Sequence, residues 1–144
     1  MGLGVEAAGS VLAVGSSVQR ASVGDPVIAH PVPLRANGTW TERVTVAEST
    51  IAPKPAWVTW QEAGALPVPA LTAYQVLVPT LHVQAGECVL VHGAGGVTGS
   101  LLVTVATELG ARVIATAGPD ATTADHTAFR IPDHEMDHWR PRCG

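Results

Sequence analysis

The chain has 144 residues, about one domain's worth, with eight Lys+Arg against twelve Asp+Glu and a formal charge of −4. That acidic balance argues against nucleic acid or an anionic membrane as the main partner, because both select a basic face. Hydrophobic residues at 47% and charged residues at 14% make a globular composition, not a disordered one.

Residues 1–57 read as short strands joined by turns. Val11 to Gly15 is an apolar run closed by Gly15-Ser16-Ser17, and Gly24-Asp25-Pro26 is a turn leading into Val27-Ile28-Ala29. Asn37-Gly38 predicts a hairpin turn, with Trp40, Glu42, Val44 and Val46 alternating after it. Strands at this spacing predict part of a small β-barrel or sandwich. Trp40, Trp57 and Trp60 are expected in the core.

The period then changes. Thr59-Trp60-Gln61-Glu62 fits a capping box at a helix start. A second short helix is expected after Pro69, with Leu71, Tyr74, Gln75 and Leu77, and Tyr74 is read as core packing. Gln84 to Glu87 turns into an apolar strand, Cys88 to His92. From Val97 the spacing is helical, with Leu101, Leu102, Val105, Ala106 and Leu109 on one face. Gly110 is the expected stop, and Arg112 to Thr116 a second buried-type strand. This order predicts a βαβ unit with a parallel pair, hence an α/β fold.

Two uncharged stretches, 63–86 and 88–107, do not predict membrane spans, because Pro67, Pro69 and Pro79 break the first and Gly93, Gly95, Gly96 and Gly99 the second. The N-terminus lacks the layout of a signal peptide, and two cysteines far apart do not form a disulfide framework. A cytoplasmic location is expected.

The tail differs sharply. Residues 88–118 hold eleven Val, Ile or Leu and two charged residues, whereas 119–144 hold one such aliphatic and eight charged residues. Residues 119–144 are expected to be an unrelated, disordered tail. His134-Glu135-Met136-Asp137-His138 matches a zinc-protease motif, but Pro132 and Pro141 limit any helix and no apolar stripe supports it. A solvated, histidine-containing tail is the expected reading.

The chemistry concentrates at Val89-Leu90-Val91-His92-Gly93-Ala94-Gly95-Gly96-Val97-Thr98-Gly99. A pyrophosphate needs backbone N–H donors at close range, and glycine removes the Cβ that would block its approach. The following helix adds unpaired N–H groups and a positive dipole end. The motif gains weight from its place after an apolar strand and before a helix and second strand. A Gly-x-Gly-x-x-Gly register starting at Gly93 meets Thr98 at its third glycine, while the spacing Gly93, Gly96, Gly99 is intact.

Gly4-Val5-Glu6-Ala7-Ala8-Gly9, Val23-Gly24-Asp25-Pro26-Val27, Gly38-Thr39-Trp40-Thr41-Glu42, Ala65-Leu66-Pro67-Val68-Pro69-Ala70-Leu71-Thr72-Ala73-Tyr74 and the glycine loop follow one another in a recognisable order. Together, over about residues 2–118, they resemble the medium-chain dehydrogenase/reductases, in the zinc-free quinone oxidoreductase-like branch. The resemblance implies a partial GroES-like β-barrel over 1–57 and the first βαβ unit of a Rossmann NADP-binding domain over 58–118. Cofactor-binding residues implied are Thr72, Gly93, Ala94, Gly95, Gly96, Val97, Thr98, Gly99 and Thr116. Thr72 would lie near the nicotinamide, though a helix-surface or capping threonine fits the residue equally well.

Zinc-dependent members carry a ligating histidine where this chain has Val5, which offers no donor atom, so no metal is expected. The second strand ends Thr116-Ala117-Gly118 with no carboxylate to repel a 2′-phosphate, which favours NADPH over NADH. The activity implied is hydride transfer from NADPH to a small-molecule quinone or α,β-unsaturated carbonyl, without nucleic acid or membrane as partner and with room for a homo-oligomer. No catalytic acid or base is assigned. His92, beside the loop, is read first as a structural histidine and second as a proton donor. An enoyl-reductase-type module and a non-catalytic cofactor-binding remnant are the alternatives. The abrupt change at Pro119 leads us to expect a truncated chain with a tail from another reading frame, which sequencing the transcript through that position decides.

Overall fold

Three short strands, β1 (Ala7–Ser10), β2 (Pro26–Ala29) and β3 (Ile51–Pro53), pair antiparallel in the order β1-β2-β3. Ala7 faces Ala29 and Ser10 faces Pro26, while Ala29 also faces Ile51. Pro26 opens its strand, the place where a missing N–H costs the ladder least. The computed structural model describes residues 3–31 and 38–118, and divides the chain into two units, Met1–Val68 and Pro69–Gly144.

The first strand lies earlier than its apolar run suggests. Val11 still exchanges backbone hydrogen bonds with Gly24 and Asp25, but the chain then leaves the sheet and leaves Leu12 and Val14 exposed. Polar contacts order the turn that follows: the Asp25 carboxylate accepts from the Ser22 N–H at 2.8 Å, and the Glu48 carboxylate from the N–H groups of Gln19 and Arg20. Apolar alternation creates a strand only where neighbouring backbone can complete the ladder.

Residues 40–46 likewise form no strand. Thr39 and Trp40 instead donate to the carbonyls of Gly4 and Leu3 at 3.2 and 2.9 Å, and the Thr39 hydroxyl donates to Glu6 O at 2.6 Å. The tryptophans depart from the expected core: Trp40 is 78% and Trp57 85% exposed, and Trp60 is exposed with the Lys54 ammonium 5.0 Å from its ring centroid. Large apolar side chains stay in solvent when no second layer covers them.

α1 (Trp60–Ala65) begins as expected. The Glu62 N–H donates to Thr59 Oγ1 at 3.3 Å, and Glu62 Oε2 accepts from the Thr59 N–H at 2.9 Å, a complete capping box. Ala63 is buried, and α1 lies against β1. The Thr59 backbone bond, then its hydroxyl bond, hold the Glu62 carboxyl below its ordinary value, with Lys54 adding to the effect and burial opposing it. A lowered folded value contributes stability that is present above the unfolded carboxylate range and lost as pH falls through the folded value. Glu62→Gln is therefore expected to flatten the acid side of the stability–pH profile, measured by urea unfolding between neutral and acid pH.

α2 (Pro67–Gln75) starts two residues before the expected Pro69, with proline at its first position, where no N–H is required. The Glu6 carboxylate accepts from the Val68 N–H at 2.8 Å. Val76–Thr80 continues as a π-helical turn, closed by a Leu81 N–H to Val76 O bond of 2.9 Å. Pro79 lies inside it and has no N–H for the ordinary ladder, which favours this wider turn. Tyr74 is exposed, not packed in a core.

The second unit holds β4 (Cys88–His92), α3 (Val97–Glu108) and β5 (Arg112–Thr116), with β4 and β5 parallel and in register from Cys88↔Arg112 to His92↔Thr116. α3 covers one face, where Val91, Ala94, Val103 and Ala115 form a buried cluster with Val89, Leu102 and Val113 against it. Its innermost line is Gly99, Val103 and Ala106, spaced i, i+4, i+7, so Val103 belongs to the core and Leu101 lies beside it. Gly110 ends the region at φ +81°. Leu90, on the opposite face of β4, is 48% exposed.

Among the described residues no helix is long and apolar enough to cross a membrane. The expected tail, including His134 to His138, lies outside the described residues, as does Asn37.

Candidate cofactor site

β4 ends at His92, and the chain turns through Gly93 at φ +79°, a conformation that favours glycine. The next residue returns to the sheet: the Ala94 N–H donates to Thr116 O at 2.7 Å, and its methyl is buried in the cluster under α3. The Gly96 N–H then donates to Gly93 O at 3.1 Å, and the Ser100 N–H to Gly96 O at 2.8 Å, which starts the helix. Four residues therefore carry the chain from strand end to helix start.

Gly99 fixes how closely helix and loop approach. A Cβ there would lie 2.8 Å from Gly93 C and 2.9 Å from Ala94 Cα, and closer still to Gly93 O. Gly96 is different. It is the N-cap of α3 at φ −84°, and a Cβ would meet only Gly93 O at 3.5 Å, an ordinary contact. A Cβ at Gly93 would meet nothing within 4 Å. The loop thus presents open backbone on its outer side.

The start of α3 suits an anion. Gly96 supplies no side-chain cap, the first turn contains no acidic residue, and the first N–H groups of a helix lack intrahelical partners. Val97 is 67% exposed, and Thr98 is half-buried beside it. Ordinary backbone stereochemistry does not require glycine at position 96, whereas a phosphate approaching the N–H groups would. The residues present therefore fit a dinucleotide's diphosphate.

The structure brings Gly93, Ala94, Gly95, Gly96, Val97, Thr98, Gly99 and Thr116 into one place, but they do different work. Thr116 is 3% exposed; its carbonyl holds Ala94, and its hydroxyl lies 2.6 Å from His92 Nδ1 and 3.4 Å from the Gly93 N. Ala94 packs inward. Thr72 occupies an exposed position on α2. The His92–Thr116 pairing was not read from the sequence, although both residues end their strands and a parallel register sets them opposite each other. Among the described residues, no group of three or more His, Cys, Asp or Glu could hold a metal ion.

Residues 1–56 match the family of alcohol dehydrogenase GroES-like domains. The chain is 33% identical over 117 residues to a quinone oxidoreductase of Pongo abelii, covering 81% of this chain and 35% of the relative. The chain belongs to the medium-chain dehydrogenase/reductase superfamily. It is also 38% identical over 120 residues to a squalestatin tetraketide synthase of Phoma sp., covering 82% of this chain and 4% of that protein. Among solved structures, the CurK enoyl reductase superposes with a TM-score of 0.75 at 35% identity, over 83% of this chain and 35% of that one. The chain spans about a third of the quinone oxidoreductase and a small part of the synthase. In superfamily terms the first unit is GroES-like, and β4-α3-β5 begins a Rossmann-like unit.

Proposed function

We propose that residues 58–118 bind NADPH for an oxidoreductase of the quinone oxidoreductase type, which reduces a quinone or an α,β-unsaturated carbonyl. One observation carries the reading: an uncapped helix start follows a glycine loop whose outer side no Cβ closes. When bound, NADPH supplies the hydride. The chain's own part is to hold the diphosphate on the loop N–H groups and the dipole of α3. Gly93 turns the chain toward that end, Ala94 pins the loop to β5, and Gly99 sets the helix close behind it.

Preference for NADPH rests on the end of β5, where Thr116-Ala117-Gly118 provides no carboxylate to grip a ribose hydroxyl or repel a 2′-phosphate. Zinc-independent chemistry and a cytoplasmic location belong to the same proposal, the former because Val5 has no ligating atom. Similarity to the tetraketide synthase and the enoyl reductase structure favours a second reading, an enoyl-reductase-type module using the same loop.

Thermal unfolding with and without excess nucleotide tests the site. A ligand bound only to the folded chain, at one hundred times its Kd, adds about 2.7 kcal/mol. NADPH is expected to raise the transition more than NADH. A cooperative transition indifferent to both would sink the proposal. Turnover with a quinone against an enoyl thioester then separates the two enzyme readings.

A further inference from the structure

The parallel register places His92 opposite Thr116 at the edge of the glycine loop. His92 Nδ1 lies 2.6 Å from Thr116 Oγ1, and the Gly93 N–H is directed at the same oxygen from 3.4 Å. A hydroxyl has one proton to give and two lone pairs to receive with. Gly93 can only donate. The buried hydroxyl's proton therefore has one acceptor among the described residues, His92 Nδ1, and leaving it unmade would cost the full desolvation of the group. A neutral ring that accepts at Nδ1 carries its own proton on Nε2. His92 itself is exposed and immediately precedes the loop.

We propose that His92 is a diphosphate-binding residue, with its Nε2–H, fixed in that tautomer by Thr116, donating to a diphosphate oxygen of the dinucleotide. The inference rests on the reading of the loop as an NADPH site. It assigns Thr116 a positioning role: its hydroxyl holds the ring and the first loop N–H together, so strand end and ligand donor are set as one unit. A purely structural histidine would keep the same Thr116 bond and the same tautomer, so the NADPH affinity of the variants separates the two roles.

Two measurements on the full chain test this. Nitrogen–proton correlation spectra are expected to show His92 protonated at Nε2 in the neutral ring, and Thr116→Val to remove that preference. NADPH titration is expected to show about tenfold weaker binding in His92→Phe, and a smaller loss in His92→Gln, whose amide keeps a donor. Adenosine 2′-monophosphate, which carries no 5′-phosphate and so no part of the diphosphate, is expected to bind all three proteins equally. A neutral ring protonated at Nδ1 would overturn the proposal even if His92→Phe fails to fold. So would NADPH affinity unchanged in a folded His92→Phe, or an equal loss for both ligands. Wild-type chain that binds no NADPH would overturn the loop assignment and this inference together, whereas tight binding unaffected by His92→Phe overturns this inference alone.

Discussion

Gly99→Ala is expected to destabilise the second unit by about 1–3 kcal/mol and to abolish measurable NADPH binding, despite the better helix propensity of alanine. The added Cβ would lie 2.8 Å from Gly93 C and 2.9 Å from Ala94 Cα. These are backbone atoms, so no side-chain rotation relieves the overlap, and either α3 or the loop has to move. Moving the loop strains the Ala94 N–H bond to Thr116 O that pins it. Urea unfolding and an NADPH titration check both halves. Gly96→Ala is the contrasting variant: its Cβ makes only an ordinary 3.5 Å contact, so stability is expected to stay within about 0.5 kcal/mol. Its NADPH affinity is expected to fall about tenfold or more, because the methyl takes the space a phosphate needs. Equal behaviour of the two variants would show that the loop's glycines serve one purpose only.

Leu77→Ala is expected to cost about 2–5 kcal/mol, the range for a buried leucine whose surroundings collapse incompletely. Leu77 is 1% exposed and the largest fully buried side chain among the described residues. It packs with Ala106 and Ala111, and Val83, Val89, Leu102, Val105, Leu109 and Val113 lie against that cluster. Its buried neighbours are alanines, too short to fill the hole it would leave. The Val83 N–H bond to Leu77 O, 2.9 Å long, also ties this turn to the segment entering β4. Leu77→Met conserves volume and is expected to cost less than about 1.5 kcal/mol. Chemical denaturation of both variants measures the difference; an alanine variant as stable as the methionine one would mean the cluster is not a closed core.

The parts legible in the sequence were those set by local physics. The capping box at Thr59 and Glu62, the strand from Cys88 to His92, the glycine turn, and the strand from Arg112 to Thr116 depend on neighbours within a few residues. Nearby backbone donors, φ preferences and apolar runs decide them, and the sequence contains all three. The helix face of α3 was legible only in outline. The sequence reading placed Ala106 on the inner face correctly but set Leu101 there too, whereas the buried line also contains Gly99 and Val103.

Misread elements needed information from distant residues. Val11 to Gly15 and Trp40 to Val46 have strand-like alternation, yet in the first only Val11 finds backbone partners, at Gly24 and Asp25, and the second turns at the Thr39–Gly4 contact. Hydrophobicity marked Trp40 and Trp57 for the interior, but burial requires a covering layer, and position in the chain does not say where one is.

By itself the sequence determined the βαβ order, the glycine loop and the superfamily, because apolar strands, a dense run of glycines and an apolar helix face are written in consecutive residues and the superfamily's motifs follow in order. Tertiary structure alone decided that Gly99 is a packing glycine and Gly96 an open one, that Ala94 faces the core, and that Thr116 joins His92 to the loop. The glycine roles depend on how α3 folds back onto the loop a few residues before it, and the other two on residues remote in the chain that meet only once the strands have paired in register.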